Sequence, residues 1–245
     1  MRNFYKKTLY ISVSLVILFT FLFNLNQYKS FVSINSNLAD DSKFTIIVDA
    51  GHGGEDGGAV APDGSPEKDY NLDIALKLEQ ILKTYGFNVI MTRTEDKMTC
   101  DEHLSSQRSK KISDIRNRSD IISKHNNAIF VSIHQNKFSD ISQNGTQVFY
   151  SHNNSKSKIL ADEIQNSVVT NIQKENKRVT KKSGTEIYLL YHSQIPAVLV
   201  ECGFLSNKND LSLLKNEEYR FKIAMLIADG IIKYKFKDDQ NGSKI

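Results

Sequence analysis

The sequence predicts an α/β body: a single domain whose central, mostly parallel twisted sheet is covered by helices on both faces. Three observations predict it. Short β-branched apolar runs alternate with longer stretches of helical period, the order that builds βα units and a parallel sheet. A length of 245 residues allows one domain or two small ones, and no internal repeat divides it. Hydrophobic residues at 40%, charged residues at 24% and only three prolines describe a packed core rather than a disordered chain.

The amino terminus differs from the rest. Arg2, Lys6 and Lys7 precede an apolar run over 9–23 that only Ser12, Ser14 and Thr20 interrupt. Fifteen residues rise ~22 Å as a helix, short of the ~30 Å hydrocarbon core, which fits a signal peptide or a short signal anchor. Residues 24–28 carry no small-x-small cleavage pattern, which leans towards an anchor, and both readings stay open. Either one exports the body, with the amino terminus cytoplasmic. Residues 31–43 read as a linker, 44–236 as the domain and 237–245 as a polar tail that frays.

Within the body, Phe44-Thr45-Ile46-Ile47-Val48-Asp49 is a buried strand that runs into the glycine-rich loop from Gly51 to Gly58. Ser65-Pro66-Glu67 announces a helix, Ser as N-cap and Pro first inside, with Leu72, Ala75, Leu78, Leu82 and Tyr85 on its buried face and Gly86 as its stop. Strand 87–91, a polar insertion over 94–112, helix 115–123 and strand 128–133 follow. Next come strand 145–150, an amphipathic helix 156–174, short strands 187–190 and 197–200, and a closing helix 219–234.

Charge narrows the partners. Of the net +4, most lies in the first 43 residues, where five cations face two anions, so the body is near neutral and has no bias towards nucleic acid. Two cysteines exclude a disulfide scaffold or a Cys-rich zinc ribbon.

Chemistry-bearing residues collect at the strand ends. His52 follows the first strand, His134 the strand 128–133, Glu201 the strand 197–200, and Glu67 opens the first helix. Ligands of open α/β sheets bind beyond the carboxyl ends of strands, so these positions can converge. Two imidazoles and a carboxylate, with one open position, make a common catalytic zinc site, and Glu201 can then act as general base. Taken singly, each histidine also reads as a loop residue and Glu67 as a helix-start residue favoured by the dipole. Glu201 is harder to dismiss, because Val-Leu-Val before it and Cys-Gly-Phe after it enclose a carboxylate that then needs a task. The glycines lack the ending of a P-loop and do not form G-x-G-x-x-G.

The segments Val48-Asp49-Ala50-Gly51-His52-Gly53-Gly54, Glu67-Lys68-Asp69-Tyr70-Asn71-Leu72, Phe130-Val131-Ser132-Ile133-His134-Gln135-Asn136 and Pro196-Ala197-Val198-Leu199-Val200-Glu201-Cys202-Gly203-Phe204 occur in that order. Together they resemble the zinc-dependent N-acetylmuramoyl-L-alanine amidases of the Amidase_3 family, and Arg118 matches that family's arginine ahead of the second histidine strand. The resemblance implies one Zn2+ per chain on His52, Glu67 and His134, with Glu201 catalytic. It also implies hydrolysis of the amide joining N-acetylmuramic acid to the L-alanine of the stem peptide. The partners implied are the peptidoglycan glycan strand and its stem peptide. A lone catalytic domain behind an apolar segment, with the run from Ser109 to Arg118, looks most like the germination-specific spore-cortex amidases that take part in muramic-δ-lactam formation. That would place the body in the forespore-cortex space, on the outer face of the membrane or secreted. Vegetative wall-remodelling or cell-separation amidases share the motifs, and a non-catalytic wall binder on this fold would be expected to have lost one of the four groups. One position departs: Tyr191 stands where the family often carries a cation, which bears on substrate contacts rather than on the metal site.

Other residues read as structural. His103, His125, His152 and His192 lack a partner motif, Cys202 reads as a small buried hydrophobe, and Cys100 is assigned no disulfide. Lys177, Arg178, Lys181 and Lys182 form a basic stretch, a solvated face or a contact for anionic stem peptides. Because the body has no second domain, selection of its wall substrate is expected to come from an accessory exported protein, with 94–112 as the segment it would order.

Overall fold

The computed structural model describes residues 44–242. The apolar run expected to be a signal or anchor lies outside the described residues. Among those described, no helix is long and apolar enough to cross a membrane.

Six strands form one sheet in the order β2-β1-β3-β6-β4-β5: β1 (Thr45–Ala50), β2 (Asn88–Met91), β3 (Ala128–Asn136), β4 (Gln147–Tyr150), β5 (Lys181–Lys182) and β6 (Ala197–Phe204). β1, β2, β3 and β6 are mutually parallel, whereas β4 runs antiparallel to β6 and carries β5 at the edge. The central strands are the β-branched runs of the sequence, and β1 is buried along its whole length, as a parallel strand covered on both faces must be.

The helices are α1 (Glu67–Thr84), α2 (Gln107–Ser123), α3 (Lys156–Ile172), α4 (Tyr188–His192), α5 (Lys208–Lys215) and α6 (Glu217–Gly242). α6 packs between α1 and α3, which cover one sheet face. The other face packs Ile47, Phe130 and Leu199 against Ile122 of α2 and Leu190 of α4. The crossover from β1 to β2 and the next one, from β2 back past β1 to β3, run in opposite directions along the sheet, which puts α1 and α2 on opposite faces. Short α4 leaves its face more open above the strand ends, and the site lies there.

Several elements differ from the sequence expectation, each for a local reason. Pro66 rather than Ser65 occupies the α1 N-cap, because the Ser65 hydroxyl donates to Asp63 at 2.6 Å and accepts from Tyr70. Backbone carbonyls of Ala59 and Gly57 take the first N–H groups instead. The buried face of α1 runs through Asn71, Ile74, Ala75, Leu78 and Leu82, so Leu72 is only half-buried and Tyr85 is exposed. α2 begins at Gln107, inside the expected insertion, with Ser106 as a working N-cap that accepts from Ser109 N at 3.1 Å. Its buried face is Ser113, Asp114, Arg118 and Ile122, so no apolar period announces it. The run 187–190, expected as a strand, turns into α4, a short apolar stretch whose length could not decide between the two. Asn207 caps α5, which was not anticipated, by accepting from the backbone N–H groups of Asn209 and Asp210, and the closing helix continues to Gly242.

Candidate metal centre and active site

β1 delivers His52 on a strained turn. His52 has φ +62°, rare outside glycine, and such strain persists only where neighbours over-determine it. Here they do. Gly53 and Asp56 exchange backbone hydrogen bonds at 2.9 and 3.0 Å, and Arg118 donates to the carbonyls of His52 and Ala50. Arg93 donates to the carbonyls of Ala50, Gly51 and Lys68, joining the loop to the start of α1. Asp49, buried beneath, pairs with Arg118 at 2.6 Å and accepts from Ser132 and Thr92. Burial alone would raise that carboxyl; Arg118 and the two hydroxyls outweigh it and hold it at about 2.

The three expected ligands meet. One donor atom each from His52, Glu67 and His134 lies within 4.8 Å of the others. Glu67, 3% exposed, holds His134 Nδ1 at 2.8 Å on one oxygen and His52 Nε2 at 3.2 Å on the other. Asn71, one turn further along α1, donates to Glu67 Oε1, as does Gln135 N, and Ala59 N donates to Oε2. Those hydrogen bonds and the two imidazoles overcome the cost of burial and keep the Glu67 carboxyl far below the usual range. His52 Nδ1 turns back to Asp56 at 2.9 Å. Burial opposes charge on that imidazole, but Asp56 and Glu67 prevail and raise it to about 9. A carboxylate behind a histidine in this way fixes which ring nitrogen faces a metal.

Glycines make the approach possible. A Cβ on Gly51 would sit 2.2 Å from His134 Nε2. One on Gly58, at φ +68°, would sit 2.6 Å from both Glu67 Oε2 and His52 Cδ2. The loop is therefore a cradle for the candidate ligand side chains.

Glu201 stands apart in kind. It pairs across the sheet with His134, and both lie inside their strands rather than after them, with a register shift just beyond His134. Its Oε2 is shut off from solvent and has no hydrogen-bond partner. Burial and the charge of Glu67 raise its carboxyl to about 7, against the pull of His134 and His52. Cys202 beside it is buried and its thiol pushed up by burial and by Glu201, the environment of an inert hydrophobe. Cys100 and Cys202 are both free thiols.

A cavity of about 270 Å³ opens beside His52 and His134, floored by Phe130 and Leu199 and walled by Ile115 of α2 and Tyr188 of α4. The basic stretch divides: Lys181 and Lys182 form edge strand β5, while half-buried Arg178 donates to Asn144 O, Gln147 and Gln143 and lies over the Phe204 ring. The sequence reading missed Asp56, Asn71, Gln135 and Arg93. Asp56 and Asn71 each sit four residues from a ligand, the one retrievable signal, whereas Arg93 and Gln135 act through tertiary contacts alone.

Two imidazoles and a carboxylate are a donor set that can hold a metal ion, and a buried carboxylate with an idle oxygen beside them is what a hydrolase needs to move a proton. On fold and site the protein is thus an enzyme-like α/β domain with a candidate metal centre at its strand ends. The chain belongs to the N-acetylmuramoyl-L-alanine amidase family, Amidase_3, whose model matches residues 46–233. It is similar to the germination-specific N-acetylmuramoyl-L-alanine amidase of Bacillus subtilis, 33% identical over 77% of this chain and 78% of the relative. It is similar in structure to the CwlD amidase of Clostridioides difficile, solved in complex with the GerS lipoprotein. That match has TM-score 0.75 and 44% identity, covering 78% of this chain and 97% of the other. The N-acetylmuramoyl-L-alanine amidase AmiC2 of Nostoc punctiforme superposes with TM-score 0.65 at 32% identity, over 78% and 97%. The protein is accordingly an amide-bond hydrolase acting on peptidoglycan.

Proposed function

We propose that this amidase is zinc-dependent, with His52, Glu67 and His134 as ligands and Glu201 as general base and then general acid. The observation that carries the reading is the pairing of a ligand cluster anchored on a hydrogen-bonded Glu67 with one carboxylate oxygen left idle beside it. Zinc, when bound, supplies Lewis acidity at the scissile carbonyl and brings water ionisation near neutral pH. The residues do the rest. Asp56 and Glu67 hold the two imidazoles with their metal-facing nitrogens aimed inward. Glu201 Oε2 accepts a proton from the attacking water and returns it to the L-alanine nitrogen as the C–N bond breaks. A carboxyl raised to about 7 suits both steps, since it exchanges a proton near the working pH.

The substrate assignment is cortex peptidoglycan, in the reaction sequence that leads to muramic-δ-lactam. The germination-specific relative and the similarity to CwlD support it. Export, by a signal or an anchor in residues 9–23, follows from a substrate outside the membrane. A structural relative bound to a lipoprotein supports an accessory exported partner for this chain as well.

The test is mass spectrometry of peptidoglycan digested by the full-length protein. Free stem peptides beginning at L-alanine, and their loss on chelation, are expected. Cleavage within the stem peptide would refute the amidase bond, and undiminished activity in protein shown to be metal-free would refute the zinc. Spores lacking the gene should lose muramic-δ-lactam; spores that keep it would move the enzyme to the vegetative wall.

A further inference from the structure

Four rings line up on the surface, running outward from the wall of the catalytic cavity. Tyr188 and Tyr191, 42% and 36% exposed, lie on α4, with His192 between them and exposed His152 beyond. Ring centroids step from Tyr188 to His192 at 4.2 Å, to Tyr191 at 5.2 Å and to His152 at 4.9 Å. Tyr188 begins the row inside the cavity that His52 and His134 line, so the row is continuous with the active site.

The platform is held from both ends. Leu190 is fully buried in the sheet core, and Asn153 donates to the carbonyls of Tyr191 and Ser193, fixing the turn after β4, and His152 with it, against α4. Exposed aromatic rings cost little entropy to order and offer an apolar face with a polar edge. No carboxylate, lysine or arginine belongs to the row. That chemistry does not match an anionic peptide. It matches a sugar polymer, whose pyranose rings offer apolar C–H faces rimmed by hydroxyls.

We infer that the row formed by Tyr188, His192, Tyr191 and His152 is a glycan-tracking surface that holds the saccharide units next to the muramyl residue being deacylated. The inference rests on the amidase reading for its substrate and deepens it. The enzyme would read a run of the glycan strand, not one muropeptide. Four rings are few beside the roughly 20–30 residues a side of a stable protein interface, which favours a strand over a protein as the occupant.

The experiment uses the full-length protein, the double variant His152→Ala/Tyr191→Ala, and Phe221→Ala as a control at an exposed ring elsewhere. Phe221 is 44% exposed on α6. Neither His152 nor Tyr191 lines the catalytic cavity. Binding to peptide-free glycan chains should weaken about tenfold in the double variant and not in the control. KM for long peptidoglycan strands should rise by a similar factor, while kcat/KM for a single disaccharide-peptide should fall by less. If the double variant fails to fold, Tyr191→Ser alone should still weaken glycan binding about threefold. No affinity of the unmodified protein for peptide-free glycan would overturn the inference, as would equal losses on strand and monomer. Loss of binding to an exported protein, with glycan affinity intact, would reassign the surface to that partner. Glycan binding without hydrolysis would keep the surface and refute the amidase reading.

Discussion

The two halves of the site are built on opposite electrostatic plans. On the β1–α1 side the candidate ligands are held by hydrogen bonds: Glu67 takes them from Asn71, Gln135 N and Ala59 N, and His52 leans on Asp56. On the β6 side Glu201 rises from a run of Val198, Leu199 and Val200 with one oxygen unpartnered. The charged form is favoured in the first half and disfavoured in the second. A ligand must stay ionised, whereas a proton carrier must be able to change state. One sheet end provides both because α1 and the glycine-rich loop bring donors to Glu67 and nothing brings a donor to Glu201.

That contrast can be broken at either half. The largest effect is expected from chelation: hydrolysis should fall to background and return on adding zinc, as followed by release of soluble stem peptide. Next, Glu201→Gln keeps the shape of the side chain but cannot take the proton, so kcat should fall ~10²–10⁴-fold with KM little changed. A loss shared between kcat and KM would assign Glu201 to substrate binding instead. Asn71→Ala removes one support of Glu67, and Asp56→Asn one support of His52. Each should weaken zinc binding ~10–100-fold in competition with a calibrated chelator, while the fold persists.

The smallest effect is on stability, and it lies beneath the site. Asp49 has a folded pKa held below its unfolded value, so it stabilises the native state above about pH 4 and loses that contribution as pH falls towards about 2. The loss should reach about 2 kcal/mol and be visible as a steeper acid-unfolding limb. In Asp49→Asn the limb should flatten. Overall stability should also drop, because Arg118 is left buried beside a neutral amide.

How far the sequence was legible follows the same division. β1, β3 and β6 announce themselves because strands buried on both faces must be apolar throughout, and His52, His134 and Glu201 stand out as polar residues where the apolar runs end, with Glu67 at the start of α1. The second half of α2 is legible as a helix over 115–123, but its start at Gln107 is not, because the side chains it buries include Ser113, Asp114 and Arg118, whose partners at Thr99 and Asp49 come from distant segments. The same holds for Arg93, which belongs to no motif and finds the carbonyls of Ala50, Gly51 and Lys68 only once the fold closes. Residues that act through their own chemistry left a pattern. Residues that act by holding others did not, because their partners are set by tertiary structure.

The most direct measurement is the metal content per folded chain of Glu67→Ala and Glu201→Ala, purified side by side with the unmodified protein and assayed on the same peptidoglycan. Glu67→Ala should lose both metal and turnover, while Glu201→Ala should keep one zinc and lose turnover alone. Zinc retained by Glu67→Ala and lost from Glu201→Ala would reverse the two roles and contradict the division of the site into a held half and a proton-exchanging half.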